Sequence, residues 1–139
     1  MDYAKCSLSL KDPIIVVTEN KSKFELSNPR RLDVSKIKVD GCLVPPELEK
    51  CDWLFSIEEP LKKAFYIELK GCDLDKAISQ LKATLNHTKA KFLDFDKECF
   101  AVTTRIPKHG ASVRKKCIDF HKATGARLSV KNIVFSLTI

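Results

Sequence analysis

The first apolar segments of the chain are separated by a short polar turn, which predicts a β-hairpin. "PIIVVTE" (13–19) and "KFELSN" (23–28) are rich in β-branched and apolar residues and flank the polar "NKS". Two such runs around a short polar turn are typical of a hairpin. The stretch 28–36 is polar and contains a proline, so we predict a loop or one helical turn there.

Three further apolar runs predict three consecutive strands. They are "IKVDGCLV" (37–44), "CDWLFSI" (51–57) and "AFYIELK" (64–70). The intervening "PPELEK" and "EEPLKK" contain prolines, which cannot extend a central strand, so we predict turns there. Because the turn between the last two is short, they are expected to form an antiparallel hairpin.

The pattern then changes to a helical period. Apolar residues recur at the spacing of one helix face, and Asp73 precedes them as a candidate N-cap. The residues of this face are Leu74, Ala77, Ile78, Leu81 and Leu85. They predict a helix over 73–90.

The rest of the chain predicts a strand, a helix and a strand. "ECFAVTTRI" (98–106) is the strand, and a second amphipathic helix runs from Ser112 to Gly125, a candidate C-cap. The last segment, 126–139, is predicted as β-structure. The expected fold is therefore α/β (α+β): a central mixed sheet flanked by helices, with an extra N-terminal hairpin, in one domain of 139 residues.

Composition narrows the possible partners. The formal net charge is +7, which favours polyanions such as nucleic acid. The chain contains no run of 18 apolar residues, so no transmembrane helix is expected. DNA, RNA and an anionic membrane all suit this charge, and of these we expect nucleic acid and no membrane. Asp2 and Asp12 interrupt the N-terminal segment, which therefore does not resemble a signal peptide. We expect a cytoplasmic protein.

The six cysteines are expected to be reduced in that compartment and to act as small buried hydrophobic residues. None forms a CxxC pair or lies at ligand spacing from a histidine, so the sequence does not predict a zinc site.

Three charged residues interrupt the apolar strands. If Ile57 pairs with Lys63, then Asp52 faces Glu68 across a strand pair, with β-carbons about 5 Å apart. Two carboxylates there repel each other unless a cation lies between them. Lys70 is one candidate, and a divalent metal with the Leu69 carbonyl as a further oxygen ligand is the other. The competing interpretation is that Glu-x-Lys belongs to an ordinary solvated strand face.

The pattern Asp52, then Glu68-Leu69-Lys70, then the helix "DLDKAISQL" resembles the PD-(D/E)XK nuclease superfamily. The predicted order strand–strand–strand–helix–strand over 37–107 also resembles the core of that family, a restriction-endonuclease-like fold. Two features depart from it. Cys51 replaces the proline, and no helix carrying an extra acid precedes the strands. Asp40 is the candidate substitute for that acid.

This resemblance implies a nuclease that hydrolyses phosphodiester bonds of DNA with Mg²⁺ or Mn²⁺. Asp52, Glu68 and the Leu69 carbonyl would hold the metal. Lys70 would orient the attacking water, and Gln80 on the helix would support the site. The alternatives are a nuclease-like fold that binds nucleic acid or a protein partner without cutting, and an interaction protein with no nucleic-acid role. The resemblance also admits a homodimer.

Basic residues give candidate nucleic-acid contacts. Arg105 and Lys108 follow the strand that would lie beside the acids, so they could reach backbone phosphates. A basic run, Arg114, Lys115 and Lys116, opens the second helix. For that run a solvated helix face is the favoured interpretation, because basic runs usually have that role.

Overall fold

The structure, a computed structural model, describes residues 1–70, 73–105 and 110–139, except the side chains of residues 70, 110 and 111. The described residues form an α+β fold, which confirms the predicted fold class. In chain order the elements are α1 (Tyr3–Cys6), β1 (Ser7–Leu10), β2 (Ile14–Glu19), β3 (Ser22–Ser27), β4 (Val34–Lys38), β5 (Trp53–Ile57), β6 (Lys63–Lys70), α2 (Leu74–His87), β7 (Asp96–Thr103), α3 (Gly110–Thr124), β8 (Arg127–Asn132) and β9 (Val134–Thr138).

The larger sheet has six strands in the order β1-β4-β5-β6-β7-β8. β1, β4, β5 and β6 pair antiparallel, whereas β6, β7 and β8 pair parallel. Parallel neighbours need a crossover, and α2 and α3 supply the two that are required. The carboxyl ends of β6, β7 and β8 therefore lie at the same edge of the sheet as the amino end of β5. We call this the carboxyl edge; Asp52, Glu68, Thr103 and Asn132 lie along it.

The smaller sheet has the order β2-β3-β9 and contains the predicted hairpin. It packs on one face of the larger sheet, while α2 and α3 pack on the other. Phe24 of β3 is fully buried between the sheets and contacts the rings of Phe55, Phe100 and Phe135. The fold thus has three layers: helices, large sheet, small sheet.

Capping residues mark the start of α2 and the end of α3. The Asp73 carboxylate accepts the Lys76 N–H at 3.0 Å, which caps α2 as predicted. The helix ends at His87, earlier than the predicted residue 90. Gly125 follows α3 with φ +77°, a conformation that favours glycine. None of the helices in the described part of the chain has the length and apolar character needed to cross a bilayer.

Several predicted strands have different bounds. The strand predicted over 98–106 is Asp96–Thr103. The strand predicted over 37–44 begins and ends earlier, as Val34–Lys38, and the chain then turns at Gly41, whose φ is +89°. The segment predicted as one strand over 126–139 is two strands in different sheets, separated at Ile133 with φ +61°. The short α1 and β1 were not predicted, because four-residue elements carry little periodicity.

A disulfide joins Cys6 of α1 to Cys42 in the turn after β4. The expectation that all cysteines are reduced is therefore wrong for this pair. Cys51 and Cys99 are free and buried, as expected of small hydrophobic residues, and Cys117 is free and partly exposed. The disulfide connects the N-terminal segment to the turn that precedes the carboxyl edge.

Candidate active site at the carboxyl edge

The register of β5 and β6 is the one predicted from the alternation of side chains. Ile57 pairs with Lys63, Phe55 with Phe65 and Trp53 with Ile67. Asp52 lies one residue before β5, and its N–H donates to the Ile67 carbonyl at 3.2 Å. This register brings Asp52 next to Glu68 near the end of β6.

The Asp52 carboxylate is the centre of a carboxyl cluster. Its Oδ2 accepts the backbone N–H of Leu69 at 2.8 Å. Its carboxyl also makes hydrogen-bonding contacts with the carboxyl groups of Glu68 and Glu19. Glu68 is 1% exposed, so one of these acids lies in the protein interior.

The environment of Asp52 disfavours its charged form. Burial raises the pKa of Asp52 to about 6; the Leu69 N–H opposes that rise, and the charge of Glu19 adds to it. A carboxyl group with a raised pKa beside other acids is typical of a functional site. It is also a place where a bound cation would favour ionisation.

Backbone contacts from three directions fix the position of Asp52. Its carbonyl accepts the N–H groups of Val39 and Asp40, in the turn after β4, at 3.2 and 3.3 Å. The N–H of the preceding Cys51 donates to Thr84 Oγ1 of α2 at 2.7 Å. The site therefore rests on β4, β6 and α2 together, and a rigid support of this kind is what precise chemistry requires.

The other two predicted catalytic residues lie at the same edge. Lys70 is the last residue of β6 and pairs with Thr103, but its side chain lies outside the described part of the structure. Gln80 lies one helical turn before Thr84, on the side of α2 that contacts Cys51. Its Oε1 is buried and has no hydrogen-bond partner among the described residues.

Sequence reasoning missed Glu19 as an acid of the cluster. Asp40, the candidate considered for that role, is exposed in the turn after β4, where its backbone rather than its carboxylate is bonded to Asp52. Glu19 ends β2 on the side of the hairpin where Ile15 and Val17 are buried against the larger sheet. No local signal identifies it, because its contact with Asp52 depends on how the two sheets pack.

The oxygen donors suit a hard divalent cation. Mg²⁺ is commonly held by one or two carboxylates together with waters, which Asp52 and Glu68 can provide, and the Leu69 carbonyl is the proposed further oxygen. Among the described residues, no group of three or more His, Cys, Asp and Glu side chains is arranged to hold a metal ion. A site for Mg²⁺ or Mn²⁺ would therefore rest on two carboxylates, with Glu19 bonded to one of them.

The predicted basic contacts lie in different environments. Arg105 is exposed two residues beyond β7, near the carboxyl edge, and Lys108 lies outside the described residues. Arg114 and Lys115 are exposed on α3. Lys116 forms an ion pair with Asp75 of α2, which gives it a structural role between the two helices.

No protein-family model, curated protein or solved structure matches the chain.

Proposed function

We propose that the chain is a divalent-metal-dependent nuclease that hydrolyses phosphodiester bonds of DNA. The observation that supports this proposal is the contact between the carboxyl groups of Asp52 and Glu68, beside Leu69 and Lys70, where β6 ends. In sheets of this kind ligands commonly bind at the carboxyl ends of parallel strands. The order of elements along the chain, β4, β5, β6, α2 and β7, agrees with the order that the resemblance implies.

The chain's own residues have distinct roles in this proposal. Asp52 and Glu68, with the Leu69 carbonyl, would hold Mg²⁺ or Mn²⁺. A bound divalent cation would lower the pKa of a water and neutralise charge developing on the scissile phosphate. Lys70 would orient the attacking water. Gln80 would hydrogen-bond Lys70 or that water with its buried Oε1.

The test is a cleavage assay on plasmid DNA and on circular single-stranded DNA with Mg²⁺, Mn²⁺ or EDTA. Wild type should cut at least one of the two with either metal and neither with EDTA. Glu68→Gln and Lys70→Ala should each reduce the rate by at least about 100-fold, the scale of a lost charge-stabilising or proton-transfer group. Glu58→Gln is the matched control, because Glu58 is exposed just beyond the opposite end of β5. Equal cleavage by wild type and Glu68→Gln would contradict the proposal.

Metal binding is measured separately by calorimetry. We expect Mn²⁺ to bind wild type, to bind Asp52→Asn at least about ten-fold more weakly, and to bind Glu58→Gln normally. A protein that binds DNA but neither binds metal through Asp52 nor cleaves would instead be the non-cutting alternative. A protein without affinity for DNA at low salt would be an interaction protein.

A further inference from the structure

The larger sheet has a partly uncovered surface next to the carboxyl edge. The small sheet packs mainly on β6 and β7, which leaves the same face of β1, and of β4 and β5 near the carboxyl edge, less protected. Leu8 of β1, in register with Lys36 of β4, is 63% exposed. Lys36 and Lys38 lie on this face because they pair with Phe55 and Trp53 across the strands. Phe55 is buried between the sheets, and Trp53 is partly exposed and packs against the same cluster.

Trp53 is the central residue of this surface. It is the sole tryptophan of the chain, it is partly exposed, and it follows Asp52 directly. Lys38 is its cross-strand partner and is exposed. The Lys36 ammonium lies 5.0 Å from the centre of the indole ring. An aromatic ring with two cations thus adjoins an acidic site, and we call Leu8, Lys36, Lys38 and Trp53 the tryptophan surface.

The two lysines and the indole ring of the tryptophan surface suit a nucleic-acid ligand. Cations contact backbone phosphates, and an aromatic side chain stacks on a base of any sequence. Neither Lys36 nor Lys38 forms an ion pair with an acid among the described residues; Lys36 Nζ donates only to the Val16 carbonyl, at 3.3 Å. No acid among the described residues therefore competes with an anionic partner for either ammonium group, although Lys36 also contacts the Val16 carbonyl and the indole ring.

Stacking also restricts the state of the nucleic acid. In a duplex both faces of a base are covered by its neighbours, so a side chain can stack only on a base that has left the helix or was never paired. We propose that Trp53 stacks on an unpaired nucleotide beside the scissile bond, with Lys36 and Lys38 on its flanking phosphates. The preferred substrate would then be single-stranded, or would carry an unpaired base at the cleavage position. This inference rests on the proposed nuclease function.

The sole tryptophan supplies a direct measurement. Binding of an oligothymidine strand to the Glu68→Gln variant, which is chosen to prevent cleavage, should quench the fluorescence of Trp53. The matching duplex and heparin, a polyanion without bases, should quench it much less. Equal quenching by heparin would show that only charge is recognised and would overturn the proposal.

Variants test the same contact by anisotropy of a labelled strand. Trp53→Ala should weaken binding of the single strand at least about five-fold and that of the duplex much less, whereas Trp53→Phe should retain most of the affinity. Lys38→Ala should weaken binding, and Lys89→Ala is the control, because Lys89 is exposed beyond the end of α2. If Trp53→Ala unfolds, Trp53→Leu, which keeps an apolar side chain but removes the ring, replaces it. Unchanged affinity for the single strand in Trp53→Ala, or in Trp53→Leu, would overturn the proposal.

The two proposals fail separately. If the protein cleaves DNA but its affinity does not depend on Trp53, the nuclease function stands and the tryptophan surface is refuted. If it binds single strands through Trp53 but does not cleave, the surface stands and the nuclease function is refuted.

Discussion

Opposing interactions act on the protonation of the Asp52 side chain. It accepts a backbone hydrogen bond from Leu69, which favours the carboxylate, but burial and the charge of Glu19 favour the protonated acid. The result is a group that is costly to ionise while no cation is bound. A site that must recruit a cation can use that cost, because metal binding relieves it.

This cost has a measurable pH dependence. The folded-state pKa of Asp52 lies above its ordinary value of 3.8, so the folded protein binds this proton more tightly than the unfolded chain. The stability contributed by the proton is fully present below about pH 4 and is lost as pH rises through about 6, by at most about 3 kcal/mol. Asp52→Asn should not lose it, since an amide keeps the acceptor for the Leu69 N–H.

We therefore expect the free energy of unfolding of Asp52→Asn, relative to wild type, to increase between pH 4 and pH 6 and then to stay constant. Urea denaturation across this range measures it in metal-free buffer. Asp12→Asn, in an exposed loop, is the control and should parallel wild type. Parallel curves for Asp52→Asn and wild type would show that the Asp52 pKa is not raised.

Gln80 gives a second prediction at this scale. Its buried Oε1 has no partner among the described residues, and an unsatisfied buried acceptor destabilises a fold. Gln80→Met should therefore raise the free energy of unfolding by about 1 kcal/mol while lowering the cleavage rate, if the amide serves the site. Chemical denaturation and the plasmid assay measure the two effects. A variant that is both less stable and fully active would contradict this role.

The residue scale also shows what a sequence can predict. The strand register that brings Asp52 next to Glu68 could be predicted from side-chain alternation, because a one-residue slip would set apolar residues against charged ones. Glu19 could not be predicted, because it reaches Asp52 only through the packing of two sheets. Local patterns identify neighbours within a sheet, whereas contacts between layers depend on the whole chain.

At the scale of elements, the turn after β4 supports the site. Its Val39 and Asp40 N–H groups bind the Asp52 carbonyl, and the disulfide at Cys42 ties the same turn to α1. Whether a segment forms a strand or a helix could be predicted where the segment is long enough to show a clear sequence pattern, as in β6 and α2. Disulfide partners were not, since six cysteines allow many pairings and carry no local signal.

The disulfide gives a prediction for this element. It links residues 36 apart in sequence, and closing a loop of that size is expected to stabilise the fold by about 3–4 kcal/mol. Cys6→Ser, or reduction of wild type by dithiothreitol, should lower the thermal midpoint markedly. Cys117→Ser is the control, because Cys117 is a free thiol that is partly exposed. Equal midpoints with and without reductant would show that the bond is not formed or not stabilising.

At the scale of the molecule, the carboxyl edge combines a buried acidic cluster with exposed cations around it. Lys38 ends β4 and Arg105 follows β7, on either side of Asp52 and Glu68 in the strand order. If the proposed function holds, the formal net charge of +7 should attract nucleic acid from a distance, and the edge should determine where the strand lies.

The salt dependence of DNA affinity separates the effect of the overall charge from that of contacts at the carboxyl edge. Each phosphate neutralised on a single strand contributes about −0.7 to the slope of log affinity against log salt. Lys38→Ala and Arg105→Ala should therefore each reduce the magnitude of the slope by about 0.7, because each removes one phosphate contact. Lys89→Ala removes the same charge away from the edge, so it should lower affinity slightly at low salt and leave the slope unchanged. Anisotropy titrations of a labelled single strand at several salt concentrations measure all three. If all three variants changed the slope equally, the strand would be held by the overall charge of the protein, and the carboxyl edge would not define its path.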